Sequence, residues 1–251
     1  MNRITAIRSL TLLALALAWE ALGRSGLIYN DVVPPLSAIF GSAASEFVSP
    51  RFYRHLAVTA FEVGTGFAIA CVFGISLGLA FGIRRYLGAA ADPYVSALAT
   101  TPKIVFLPIV MIAVGIGISS KVTLGALSGV FPIILATAGG VRGVRPVLIK
   151  VGHAFNLTTA QMVRTIYLPA LALPIVTGMR LGLGVTIIGV LLGEIKLSNA
   201  GLGFLANDYY NQFRIAELYG VIGIVFFFAA LANSAMSKLE TRSARATSTD
   251  R

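Results

Sequence analysis

The sequence is short of charge. Of its 251 residues only 12% are Asp, Glu, Lys or Arg, while 57% are hydrophobic, and the mean hydropathy is +0.85. A soluble domain carries about 25% charged residues, so this deficit argues against a surface made for water. Cysteine is nearly missing: Cys71 stands alone, which excludes a disulfide framework and a thiolate metal cluster. The two histidines, His55 and His153, make neither a metal site nor a nucleophile–base pair with it. A phosphate-cradling loop ending in Gly-Lys-Ser/Thr is also lacking. The nearest string, Gly115-Ile-Gly-Ile-Ser-Ser-Lys121, has no glycine before the lysine and no hydroxyl after it, so the chain is not expected to hydrolyse a nucleotide. Gly182 and Gly184 fall inside an apolar run rather than after a strand, which sets aside a dinucleotide site. No cofactor, metal or catalytic centre is expected.

What the chain has instead is long apolar runs. A spanning helix needs about 20 mostly apolar residues, and such runs recur at 4–23, 63–83, 93–115, 122–141, 169–193 and 218–237. Strands rarely exceed about ten residues, so these are read as helices. The expected fold is an all-α polytopic membrane protein with about six transmembrane helices. The first run has the basic start and Ala-rich end of a signal peptide, and is read here as an uncleaved first span. Spans two to four, so bounded, hold no acidic residue.

The formal net charge is +10, from 20 Lys and Arg against 10 Asp and Glu. In a soluble protein such a balance would suggest nucleic acid; here the basic residues are scattered through short connections between apolar runs, and no nucleic-acid partner is expected. With six spans, one side receives Arg3, Arg8, Arg84, Arg85, Arg142, Arg145, Lys150, Arg164, Lys238, Arg242, Arg245 and Arg251. The other receives Arg24, Arg51, Arg54, Lys121, Lys196 and Arg214. The positive-inside bias places the first side, and both termini, in the cytoplasm. It also makes residues 142–168 a cytoplasmic loop, where the Asn156-Leu-Thr acceptor string would go unglycosylated.

Gly74, Gly78 and Gly82 leave one face of the second span without side chains, the pattern of close helix packing in a membrane bundle. No internal repeat is evident, which weighs against the duplicated folds of many carriers. The polar tail 242–251 is expected to fray. The loop 142–168 is patterned. Leu148, Val151, Ala154 and Phe155 recur at helical spacing, as do Ala160, Val163, Ile166 and Tyr167. Between them Asn156 tolerates a left-handed backbone, and Leu168-Pro169 places proline at a compatible helix start. Two short helices meeting at a corner are predicted.

These residues resemble a known family. Lys150-Val-Gly-His-Ala-Phe-Asn156 with Ile166-Tyr-Leu-Pro169 looks like the Glu-Ala-Ala…Gly…Ile-x-Leu-Pro signature of binding-protein-dependent ABC importer permeases. Thr177-Gly-Met-Arg-Leu-Gly-Leu-Gly184, Glu194, Gly201-Leu-Gly-Phe-Leu205, Pro102-Lys-Ile-Val-Phe-Leu-Pro108, Gly115-Ile-Gly117, Phe131-Pro-Ile133 and Gly140-Val-Arg142 are similar to that family as well. The likeness covers roughly residues 55–210 and is strongest to the sulfonate, taurine and nitrate importer branch. Two departures stand out: Lys150 replaces the family's glutamate, reversing its charge, and Asn156 replaces its glycine.

The resemblance implies a type I (MetI-like) permease fold. Its single domain would span 1–251, with the core at about 55–240, the N-terminal span at about 4–23 and the coupling loop at 142–168. It implies a non-catalytic subunit of the bacterial inner membrane that works as a homodimer with two cytoplasmic ATPases and an external solute-binding protein. Lys150, Phe155, Asn156, Leu157, Thr158, Leu168 and Pro169 are then the residues expected to couple to the ATPase. Charges inside a membrane default to function, so Lys103 and Arg180 are candidates for the translocation path of a small anion. Arg180 lies eleven residues into its run, about 16 Å along the helix and near mid-membrane. The outer loops 25–54 and 194–214 would receive the binding protein, with Tyr209, Tyr210 and Phe213 either as docking aromatics or as part of the interfacial aromatic belt. The competing reading is a secondary carrier or channel without an ATPase.

Overall fold

The computed structural model describes residues 3–26 and 32–249, with side chains from 4 to 244, and every regular element among these residues is helical. The order is α1 (Arg3–Arg24), α2 (Leu36–Val48), α3 (Pro50–Ile83), α4 (Arg85–Thr100), a 3-10 turn (Lys103–Phe106), α5 (Leu107–Val114), α6 (Ile118–Arg142), α7 (Pro146–Ala154), α8 (Thr159–Met162), a π turn (Val163–Tyr167), α9 (Leu168–Ala170), α10 (Ala172–Leu197), α11 (Leu202–Asn211) and α12 (Ile215–Thr249). Five helices, α1, α3, α6, α10 and α12, are long and apolar enough to span a bilayer; the pair α4–α5, bent by 95°, makes a sixth crossing if taken as one span.

That bend interrupts the third predicted span at Pro102, and the apolar helix before it begins earlier than read from the sequence, at Arg85. Pro93 lies inside α4 instead of starting the span, and the break falls at Thr101-Pro102, both extended. Proline lacks the N–H the helix needs and pushes the residue before it out of the helical region. Two further corrections concern the loops 25–54 and 194–214, which contain α2 and α11, helices of 13 and 10 residues too short to show as apolar runs. The tail is helical through Thr249; Asp250 and Arg251 lie outside the described residues.

The chain forms two compact units, Met1–Thr59 with Glu194–Phe228, and Ala60–Gly193 with Ala229–Arg251. In the second unit α6 is the most buried span. A Cβ on Gly74 of α3 would lie 2.7 Å from Ile133 Cβ of α6, one on Gly78 would lie 2.6 Å from Thr137 Cβ, and Gly82 meets Val141 in the same way. Both numbers rise in steps of four, so α3 and α6 run parallel with their backbones in close approach. Parallel neighbours require the chain to return between them, and α4–α5 makes that crossing. On the other side of α6, Gly125 meets Val190, Gly129 meets Gly182, and Gly140 meets Pro174 of α10, so α10 runs antiparallel. Small residues replace a hydrophobic driving force in such contacts, because lipid is as apolar as leucine.

The α3–α6 contact also overturns two expectations about charge. Lys121, counted above with an outer connection, is in the first turn of α6. It pairs with Glu62 of α3 at 2.7 Å, with side-chain exposures of 4% and 0%. The predicted span began one residue too late to include that carboxylate. In the first unit, Phe52 is fully buried between Phe47 and Tyr53, with ring centroids at 5.4 and 5.6 Å. Trp19 Nε1 of α1 donates to the Pro34 carbonyl at 3.1 Å.

Two outcomes follow for the purified protein in detergent. Gly78→Leu should lose about 1–3 kcal/mol of stability through overpacking, while Gly64→Ala, with open space around its Cβ, should leave the unfolding midpoint unchanged. Lys121→Met strands the Glu62 carboxylate and should cost about 3–5 kcal/mol, most of it recovered in the Glu62→Gln/Lys121→Met double variant. Denaturant titration measures both.

Candidate functional site

The elbow is built from its backbone upward. α7 ends at Phe155, and Asn156 takes φ +52°. The Asn156 amide donates to the His153 carbonyl at 2.9 Å and the Leu157 amide to the Gly152 carbonyl at 3.0 Å. This pair of bonds is a Schellman closure, with asparagine in the left-handed place usually held by glycine. Thr158 then caps α8: its hydroxyl accepts from the Gln161 amide, and the Gln161 side chain accepts in turn from the Thr158 amide at 2.8 Å. A reciprocal box of this kind satisfies two amides that the first turn would leave open. The Thr-x-x-Gln spacing was legible in the sequence but was missed there.

The second arm passes through the π turn, where the Leu168 amide donates five residues back to Val163. A π turn widens the helix, which gives room for the ring of Pro169 where an α turn would crowd a carbonyl. Val144, Met162, Tyr167 and Leu171 are buried together, and Ile149, Leu157 and Ile166 pack on them. Gly152 presses on Met162 and Ile166 with no room for a Cβ, which lets the two arms close.

Seated in this way, the elbow turns its other apolar stripe outward. Val147, Leu148 and Val151 are exposed, and Phe155 is 77% exposed at the corner itself. Lys150 is exposed on the same helix. Of the coupling residues predicted above, Phe155 to Thr158 come together at the corner. Leu157 is half-buried and braces the corner from within. Leu168 and Pro169 lie at the far end of the second arm, away from the corner in sequence.

Arg180 lines an open groove with Thr177, Gly184, Ile188, Asn233 and Glu240. Its guanidinium donates to Glu240 at 2.8 Å and to Asn233 at 2.9 Å, and Thr177 donates to the same Glu240 carboxylate at 2.6 Å. The pairing matches the Arg180 charge within the groove. Lys103 has a local role: its ammonium donates to the carbonyls of Ala99 and Thr101 at 3.1 and 2.6 Å, at the end of α4, and sits 5.2 Å from the Phe131 ring.

The three docking aromatics divide. Tyr210 and Phe213 are exposed, Phe213 with φ +56°. Tyr209 is buried, a correction, and its hydroxyl donates to Glu46. Burial, reinforced by the Glu46 carboxylate, pushes its phenol up to about 12, so it remains a donor at neutral pH.

The corner geometry makes a direct prediction. Asn156→Val should cost about 1–2 kcal/mol, because a left-handed backbone crowds any Cβ and a branched one most. That corresponds to roughly 5–30-fold faster hydrogen exchange at the Leu157 amide, whereas Asn156→Gly should leave it protected.

With this geometry in place, comparison with known proteins is informative. The family described as binding-protein-dependent transport system inner membrane component matches residues 70–241. The chain is 26% identical over 224 residues to SsuC of Bacillus subtilis (strain 168), named for aliphatic-sulfonate transport, covering 89% of this chain and 81% of SsuC. It is 27% identical over 236 residues to the taurine transport system permease protein TauC of Escherichia coli (strain K12), covering 91% and 86%. A nitrate import permease protein, NrtB of Synechocystis sp., is 29% identical over 170 residues, 65% of this chain and 62% of NrtB. Among solved structures, a chain of the inward-facing MetNI methionine ABC transporter superposes with a TM-score of 0.65 at 18% identity, covering 78% of this chain and 99% of its own length. That is a likeness of fold. The protein is thus a multi-pass membrane protein belonging to the binding-protein-dependent transport system inner membrane components, an ABC importer permease subunit with the MetI-type fold.

Proposed function

We propose that two copies of this permease form the translocation path of an importer driven by two cytoplasmic ATPases, with an external solute-binding protein delivering the substrate. The observation that carries the reading is the elbow: a corner fixed by a Schellman closure and a capping box, with Phe155 outward at its tip. A rigid apolar corner suits a groove on a motor subunit, because little ordering entropy is lost on docking. ATP binding would draw the two elbows together and turn the cavity outward; hydrolysis would reset it. Both termini are assigned to the cytoplasmic side with the elbow, following the Lys and Arg bias. The permease itself changes no bond.

A small anion is proposed as substrate, in keeping with the sulfonate, taurine and nitrate names of the relatives. Arg180 and Lys103 are proposed for the path. Arg180 has the better claim, since it faces an open groove, and an anion there would compete with Glu240 for the guanidinium. Tyr210 and Phe213 are proposed to meet the binding protein.

The test uses proteoliposomes containing permease, ATPase and binding protein. Phe155→Asp should abolish ATP-driven uptake and capture of the ATPase while leaving permease folding intact. Leu157→Asp is the poorer probe, because it also disturbs the elbow's core. Uptake by the permease alone, without ATP or ATPase, would favour the secondary carrier or channel and overturn the proposal.

A further inference from the structure

The start of α11 holds a set of buried contacts that neither the elbow nor the groove uses. Gly201, with φ +110°, precedes the helix, and three successive amides are each taken by a different side chain. The Gly201 N–H donates to His55 Nδ1 at 3.0 Å, the Leu202 N–H to Thr59 Oγ1 at 2.8 Å, and the Gly203 N–H to Glu194 Oε2 at 2.7 Å. The Thr59 hydroxyl itself donates to Glu194 Oε1 at 2.6 Å. His55, Thr59 and Glu194 are all buried. A Cβ on Gly201 would collide with the Glu194 carboxyl group, so the glycine leaves the space the carboxylate fills. A helix N-terminus presents unpaired donors and partial positive charge, and here the chain supplies its own anion to them.

The far end of α11 is fixed as well. Asp208 pairs with Arg51 at 2.9 Å, Tyr209 donates to Glu46, and the Arg214 guanidinium lies 4.5 Å over the Tyr209 ring. Ten residues make a marginal helix on their own; these contacts make this one stiff. Tyr210 and Phe213, 61% and 82% exposed, are what α11 leaves outside.

We infer that His55, Thr59 and Glu194 are positioning residues whose latch on the Gly201–Gly203 amides holds α11 as a rigid ledge, presenting Tyr210 and Phe213 in fixed geometry to the solute-binding protein. This rests on the reading that those two aromatics meet that partner. None of the three latch residues touches the partner; each acts through the backbone of α11, by lowering the conformational cost of docking.

The experiment measures binding-protein affinity, and ATP turnover at saturating binding protein, for the assembled permease–ATPase complex in lipid nanodiscs. Thr59→Val should weaken binding-protein affinity about tenfold, the scale of a lost hydrogen bond to a charged group, with turnover at saturation retained. Thr59→Ser, which keeps the hydroxyl, should restore affinity. Phe213→Ala should weaken affinity directly. Loss of folding alone would lower turnover at saturation instead of splitting the two readouts. If Thr59→Val does not assemble, Glu194→Gln, which keeps the side-chain shape, carries the same comparison. Wild-type affinity in the latch variant beside weakened Phe213→Ala overturns the latch and leaves the docking surface standing. Wild-type affinity in Phe213→Ala and Tyr210→Ala overturns the docking surface and the latch with it.

Discussion

Everything in the larger unit follows from how closely α3 and α6 approach each other. In a bilayer there is no gain from hiding apolar surface, so two helices associate through contact and backbone proximity. The glycines facing Ile133, Thr137 and Val141 permit that proximity. Because the two helices run in the same direction, the chain must come back between them, and the bent pair α4–α5 is the result. α10 closes on the other face of α6 through its own small residues and carries Arg180 to the groove it shares with Asn233 and Glu240.

The elbow works on a different principle. Beyond the close approach at Gly152, it is held by local hydrogen bonding at each turn: an amide closure at Asn156, a reciprocal cap at Thr158, and a widened turn ahead of Pro169. Asparagine in a left-handed position shows that the corner asks for tolerance of that backbone, which glycine supplies more cheaply but not uniquely. With the geometry fixed locally, the surface is free to differ. Lys150 is exposed on α7 and is no part of the closure or the cap.

The sequence made the spans and the corner legible for clear reasons. Apolar length reports on lipid directly, and Asn156 between two helical patterns left few other shapes. Short or irregular features escaped. α11 has ten residues of mixed polarity, so nothing in its pattern separated it from a loop. Glu62 and Lys121 looked like residues flanking spans, because a pair that cancels its own charge is invisible to a count of single charges. Tyr209 read as an outer aromatic because its partner Glu46 is remote in the chain. The partner of Arg180 was not legible for the same reason: the carboxylate that pairs with it lies 60 residues away.

The buried pair of Glu62 and Lys121 has a bearing on biogenesis. The two charges lie on helices separated by the whole of α4 and α5, so the acidic one emerges from the ribosome well before its mate. Until α6 has been made, the Glu62 carboxylate is without the Lys121 ammonium, so its neutralisation belongs to the docking of α3 against α6 and not to the folding of α3 alone.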